Sequence, residues 1–361
     1  MRITPPNRRL GCLLAGVAWH LAGVAGVPAA SPDQIVTGPE RSTYIQFGRD
    51  LSSIVAKPAG LTLQVEPSKG SVENLRRLPS DPRVLFALVQ SDVYQAFLDQ
   101  AASGSAEAER LIKPLRVVMP LYDEEIYFVV RADSPLNAVQ DIKDKRINVG
   151  PVGSGAALTA TTLYRQMFGK PIVEKNATFL SNEDALLKLA SDKSIDVAVV
   201  VEGQPAKLFA DMKKEAAGYI KLLKFDPQAE ESQAAGSVYR PGTIRAASYP
   251  TWLAEDVPAL TIKSLLMTYN FQTPAAQQTL GRFADSLCTH FDQLQSAGHA
   301  KWQSVQLSLP PLGKGWEYYE PSSRKLAECI VSRARSSKQA ALAAAKARSC
   351  PQEKLLLGLC R

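Results

Sequence analysis

The chain has 361 residues, 45% of them hydrophobic and 21% charged, with 42 Lys and Arg against 35 Asp and Glu for a net charge of +7. That length and apolar content exclude a disordered chain and support two lobes with substantial cores. The charge is local: Arg2, Arg8 and Arg9 sit in a leader segment, Val331–Arg348 carries five bases and no acid, and the remainder stands at −1. Without aromatic-interleaved basic stretches this excludes the reflex nucleic-acid partner, and the Ala-rich Lys338–Ala347 stretch reads as a solvated helix with scattered charge.

At the start, Arg2, Arg8 and Arg9 precede an apolar Leu10–Ala25 run and the small residues Val27-Pro28-Ala29-Ala30. This is the pattern of a secretory signal cleaved near residue 30, too short to be read as a membrane span. Cys12 stands at the start of the apolar run instead of after it, and Arg9 stands where a lipidation motif has Leu. The expected mature chain is therefore exported and periplasmic.

From there, strand-like and helix-like runs alternate. A strand is expected over Gln34–Thr37, then a helix from Thr43 to Ala56 burying Tyr44, Phe47, Leu51, Ile54 and Val55. Strand Leu61–Val65, helix Ser71–Leu78, the fully apolar strand Val84–Val89 and helix Ser91–Gln100 follow. Ala102–Arg110 reads as a surface loop, ahead of two β runs, Leu115–Met119 and Ile126–Arg131. Next come a short helix near Val139–Lys143, strand Ile147–Val149, helix Ser154–Phe168 and a strand near Thr178–Leu180. A helix Glu183–Ser191 with a Ser181-to-Asp184 capping box leads to strand Ile195–Val201. Gln228–Ala247 reads as loop, and Pro258–Gly298 as mainly helical. Apolar strands alternating with helices predict an α/β fold with mainly parallel sheets covered on both faces.

Polar, small-residue turns fall where strands end and helices begin: Thr37–Tyr44, Lys69-Gly70-Ser71, Val89-Gln90-Ser91-Asp92 and Gly150–Gly155. Such turns leave the first helical N–H groups unpaired and aim the positive end of the helix dipole forward, which suits an anion. Ligands in open α/β sheets sit outside the carboxyl ends of strands, where these turns lie. Several of them facing one cleft would hold a small carboxylate. Ser71 is a cap, a ligand contact or both; Tyr44 belongs to the core or to the cleft. Asp92 and Glu202 are groups able to receive an amino group, or else a cap and a surface charge. Arg41 is either a bidentate carboxylate clamp or a rim arginine facing water.

Four cysteines remain after the leader, Cys288, Cys329, Cys350 and Cys360, an even number in an oxidising compartment. Of three possible connectivities, Cys288–Cys329 with Cys350–Cys360 is expected, because the second pair closes a short loop. No Cys-x-x-Cys spacing occurs and His290 and His299 are not arranged near these thiols, so no metal or other cofactor is expected. Gly150-Pro151-Val152-Gly153-Ser154-Gly155 is neither a dinucleotide fingerprint, a phosphate loop nor a nucleophile elbow. A hydrolase would have to recruit His290 or His299 from the late helical region; no enzyme is expected.

In chain order, Thr37-Gly38 with Thr43-Tyr44, Gly70-Ser71-Val72-Glu73-Asn74-Leu75, Val89-Gln90-Ser91-Asp92, Val129-Val130-Arg131-Ala132-Asp133-Ser134, Ile147-Asn148-Val149-Gly150 with Gly153-Ser154-Gly155, and Asp196-Val197-Ala198 before Gly203-Gln204-Pro205 resemble the TAXI family of solute-binding receptors of TRAP transporters. The likeness runs from about residue 33 to 300. It implies a two-lobed, type II periplasmic-binding clamshell with a helical C-terminal region that captures a glutamate-like or dicarboxylate solute and delivers it to TRAP permease subunits. The implied lobes are 31–122 with 240–325, and 123–239, followed by a basic, Cys-containing tail over 326–361. The expected ligand set is Arg41, Thr43, Tyr44, Gly70, Ser71, Gln90, Ser91, Asp92, Ser154, Gly155 and Glu202. The chain departs from the family at Arg41, Ser42, Ile45 and Glu202. A sensor receptor for the same solute class, signalling through a membrane partner, is the alternative.

Overall fold

The computed structural model describes residues 32–236, 238–348, 354 and 356–359. The leader, with Cys12, and Cys350 and Cys360 lie outside the described residues. In chain order the first elements are β1 (Asp33–Val36), α1 (Thr43–Asp50, running on through a wider turn to Ala56), β2 (Leu63–Glu66), α2 (Ser71–Ser80), β3 (Val84–Gln90), α3 (Ser91–Ala102) and α4 (Ala106–Ile112). They are followed by β4 (Leu115–Arg131), β5 (Ile147–Asn148), α5 (Gly155–Phe168), β6 (Ala177–Thr178), α6 (Asn182–Ser191), β7 (Val197–Glu202), α7 (Lys207–Ala210), β8 (Ile220–Leu222), α8 (Glu230–Ala235) and β9 (Arg240–Ile244). β10 (Val257–Tyr269), α9 (Pro274–Thr289), α10 (Phe291–Ala297) and α11 (Glu320–Arg348) complete the chain.

The strands form one sheet of order β2-β1-β3-β10-β4-β7-β5-β6, with β8 on β4 and β9 on β10. Its flanks are parallel, as the strand–helix alternation predicts: β1 with β2 and β3, β5 with β6 and β7. The centre is antiparallel, because β4 and β10 run against each other and against β7 and β3. β4 joins the two β runs expected from sequence into a single strand of 17 residues, on the order of 55 Å at the usual strand rise. Such a strand reaches from one half of the molecule into the other.

Each half has its own packing on both faces of the sheet. The first half gathers Phe47, Leu51, Phe86, Phe283 and Trp302 on one side, and Leu75, Val89, Tyr94 and Val117 on the other. The second gathers Phe128, Val149, Leu163 and Val199 on one side, and Tyr127, Val200, Phe209 and Trp252 on the other. β4 and β10 serve both: Val118 and Leu266 belong to the first half, Phe128 and Ile262 to the second. Ile244, Tyr249, Trp252 and Val257 pack with Tyr127, Val200 and Phe209 in the second half.

Three stretches correct the sequence expectations, the first being Gln228–Ala247, where α8 and β9 form in place of the expected loop. Pro258–Tyr269 is strand β10, not helix; its Leu- and Met-rich composition suits a helix, but docking between β3 and β4 decides the matter. Within the expected loop 102–110, α4 forms, with Ser105 accepting the Ala108 amide hydrogen as its N-cap. At the C-terminal end, Cys288 of α9 and Cys329 of α11 form the expected disulfide. Leu326, Cys329 and Ile330 lay the start of α11 on the first-half core, so the basic tail begins as an integral helix.

Candidate functional site

The residues at the ends of the parallel strands build the site. In α2, Ser71, Asn74, Leu75 and Leu78 are buried, the i, i+3, i+4, i+7 stripe of a half-buried helix. Its N-cap is Gly70 at φ +117°, a conformation that suits glycine. The Asn74 amide donates to the carbonyls of Thr37 and Leu88 at 2.6 and 2.7 Å, which ties α2 to the carboxyl ends of β1 and β3. Across the gap, Ser154 caps α5 by accepting the Ala157 amide hydrogen, and Ser181 caps α6 from Asp184. Ser42 caps α1.

Four helix beginnings, those of α1, α2, α5 and α6, line one cavity of about 100 Å³ between the two halves of the sheet. Gln90, at the end of β3, and Glu124, Val201 and Glu202 from β4 and β7 complete the wall. Among the described residues, the amides of Ser71, Val72, Gly155 and Ala156 have no protein partner, so the dipole ends there are unsatisfied. The halves touch closely. The Glu73 amide donates to the Gly153 carbonyl at 3.2 Å, and a Cβ on Gly155 would fall 1.6 Å from the Gln90 Oε1.

Gly70, Ser71, Gln90, Ser154, Gly155, Tyr44, Arg41 and Glu202 of the expected set line this cavity. Ser71 lies inside its helix and does not cap it: its hydroxyl donates to Gln90 Oε1 at 3.1 Å and accepts the Gln90 amide hydrogen at 3.0 Å. Thr43 stands behind the wall, its amide donating to Glu202 Oε2 and its hydroxyl to the Gly203 carbonyl, both at 2.8 Å. Arg41 sits half-exposed at the edge in an ion pair with Asp211 at 2.9 Å. Ser91 and Asp92 lie apart, on a separate groove; Asp92 accepts hydrogen bonds from the Thr159 and Tyr239 hydroxyls at 2.7 and 3.0 Å.

The residue that sequence reasoning missed is Glu124. It is buried in the cavity wall at 2% exposure, with Tyr44 OH donating to its Oε2 at 2.8 Å. Burial, with the charge of nearby Glu202, holds its carboxyl well above the usual range. Burial also pushes Glu202 up to about 7, against the lowering effect of the Thr43 hydrogen bonds. The signal was present: Asp123-Glu124-Glu125 interrupts an otherwise apolar strand, and a charge at such a place has a reason. Glu125 has a different environment, paired with buried Lys301 and bound by Gln204.

The architecture defines the class: an α/β sheet in two halves, with helix N-termini converging on a cavity between them. Residues 35–280 match the model of the NMT1-like family, and the chain belongs to that family. Its fold is similar to that of the arginine-, lysine-, histidine-binding protein ArtJ of Geobacillus stearothermophilus, at 12% identity over 78% of this chain and 98% of that one, TM-score 0.43. A TctC solute-binding protein from Polaromonas is similar at 16% identity over 84% and 98%, TM-score 0.39. A Candida albicans gene product with the generic periplasmic binding protein fold is similar at 12% identity over 83% and 90%, TM-score 0.45.

Proposed function

We propose that this protein is an exported receptor that captures a small carboxylate solute, glutamate-like or dicarboxylate, by closure of two lobes, and delivers it to the membrane permease of a TRAP-type transporter. The observation that carries this reading is the convergence of four helix beginnings on one cavity, with the Ser71, Gly155 and Ala156 amides left unpaired among the described residues. A carboxylate placed there receives hydrogen bonds that no side chain supplies. Because the donors come from both halves, the solute stabilises the closed arrangement in proportion to its preference for it. On this reading the groups around the cavity orient a ligand and hold it.

The test is a thermal-shift screen of the mature chain against amino acids, dicarboxylates and keto acids. A solute held at a hundred times its dissociation constant stabilises the fold by about 2.7 kcal/mol, a shift of a few degrees. Ser71→Ala and Gln90→Ala should reduce that shift while leaving the ligand-free melting temperature within a degree or two. A hit whose shift is unchanged in both variants would place binding elsewhere.

A further inference from the structure

We propose that the solute also carries a positively charged nitrogen, an amine or guanidine, which binds between Glu124 and Glu202. This rests on the receptor reading above and narrows its ligand class. Both glutamates are nine-tenths buried or more, and both line the cavity. Each has one oxygen engaged, Glu124 by the Tyr44 hydroxyl and Glu202 by the Thr43 amide, while neither second oxygen has a hydrogen-bond partner among the described residues. Among the described residues, no buried cation lines the cavity with them. Arg41 is committed to Asp211 and half-exposed, and Lys69 stands exposed at the edge.

Two carboxyl groups in an enclosed space without a counter-charge are costly to ionise, and a buried charge left without its partner is strongly unfavourable. Glu125, the next residue on the same strand, has its cation in Lys301. Glu124 and Glu202 have none, so the missing partner is assigned to the ligand. The cavity's size agrees. At about 100 Å³ it is smaller than the roughly 150 Å³ space that accepts benzene, which fits a compact head with a carboxylate and a cationic nitrogen close together. The carboxylate faces the α2 and α5 amides, the nitrogen faces the two glutamates. A plain dicarboxylate would set like charges against each other.

Matched pairs test the assignment at pH 7.5, by calorimetry or thermal shift: glutamate against glutarate, aspartate against succinate, basic amino acids against their desamino acids, with the carboxylate-free amines putrescine and agmatine. The expected result is that an amine-bearing acid binds at least tenfold more tightly than its desamino partner. Glu124→Gln and Glu202→Gln should each weaken that ligand at least tenfold; both variants should fold, because Gln can still accept from Tyr44 or Thr43. Equal binding of the two members of a pair, or amine affinity within twofold of wild type in both variants, overturns the cation site while leaving the carboxylate receptor intact. Binding of the carboxylate-free amines alone supports the cation site and defeats the carboxylate reading. Silence across the whole panel overturns both.

Discussion

Glu202 makes the stability of this protein depend on pH in a direction opposite to that of ordinary paired carboxylates. Its folded value is about 7, against 4.5 for an unperturbed glutamate, with burial as the main cause. Between those two values the folded chain keeps a proton that the unfolded chain has released, so stability falls as pH rises through the window. The cost is absent below about 4.5 and complete above about 7, amounting to about 3 kcal/mol at 1.36 kcal/mol per unit. Glu124 is raised in the same direction. In ligand-free protein, Glu202→Gln should therefore melt several degrees higher than wild type at pH 8, with the gain shrinking to nothing near pH 4.5. Parallel melting curves across that range would mean that Glu202 stays charged and solvated. These two acids also mark the boundary of what single residues disclose. Ser181 was legible as a cap because capping is a contact over three residues. Glu124 stood out in sequence as a charge in an apolar run, but its place in the cavity did not, because its partner Tyr44 lies eighty residues earlier in the chain.

At the level of elements, the same distinction between near and far holds. α2, α5 and α6 begin within a residue or two of their expected starts, since an N-cap and an apolar stripe are both local signals. β10 was misread because its partners, β3 and β4, lie more than a hundred residues away, and only their backbone groups turn a Leu-rich run into a central strand. The α5 start is the element on which the site most depends. Gly155 has an ordinary φ, so alanine is tolerated by the backbone there, but its Cβ would meet Gln90 Oε1 at 1.6 Å and Ser71 Oγ at 2.7 Å. Gly155→Ala should consequently leave the melting temperature of the ligand-free chain nearly unchanged and weaken solute binding at least tenfold, because only the closed arrangement brings these atoms together. An unaltered affinity would show that α5 does not approach β3 when the solute is bound. A different element-level device holds the end of the chain: the Cys288–Cys329 disulfide closes a 41-residue separation between α9 and α11. Paired Cys288→Ala and Cys329→Ala substitutions should cost about 2–4 kcal/mol, read by denaturant unfolding. A loss under half a kcal/mol would mean that packing of Leu326 and Ile330 alone secures α11.

On the scale of the whole molecule, two halves share β4 and β10, and the closure proposed above would have a second set of contacts away from the cavity. Asp92 of α3 belongs to the first half; Thr159 of α5 and Tyr239 belong to the second. The Asp92 carboxylate is buried and accepts from both hydroxyls as well as from the Val93 amide. A buried carboxylate is acceptable there only while those donors are in place, so their removal disfavours the closed arrangement and rewards an opening that lets water reach Asp92. Thr159→Val combined with Tyr239→Phe removes two donors to a charged acceptor, worth about 1.5–3 kcal/mol each at the upper end. The solute must then supply that closing energy itself, and its apparent affinity falls by the fraction of chain still competent to close. The double variant should show a larger radius of gyration than wild type by small-angle X-ray scattering without solute, a return to the wild-type value at saturating solute, and a dissociation constant at least tenfold higher. These three changes belong together, because one equilibrium governs them. A weaker affinity with no change in radius would assign Asp92 to the fold of α3 and α5 and not to closure.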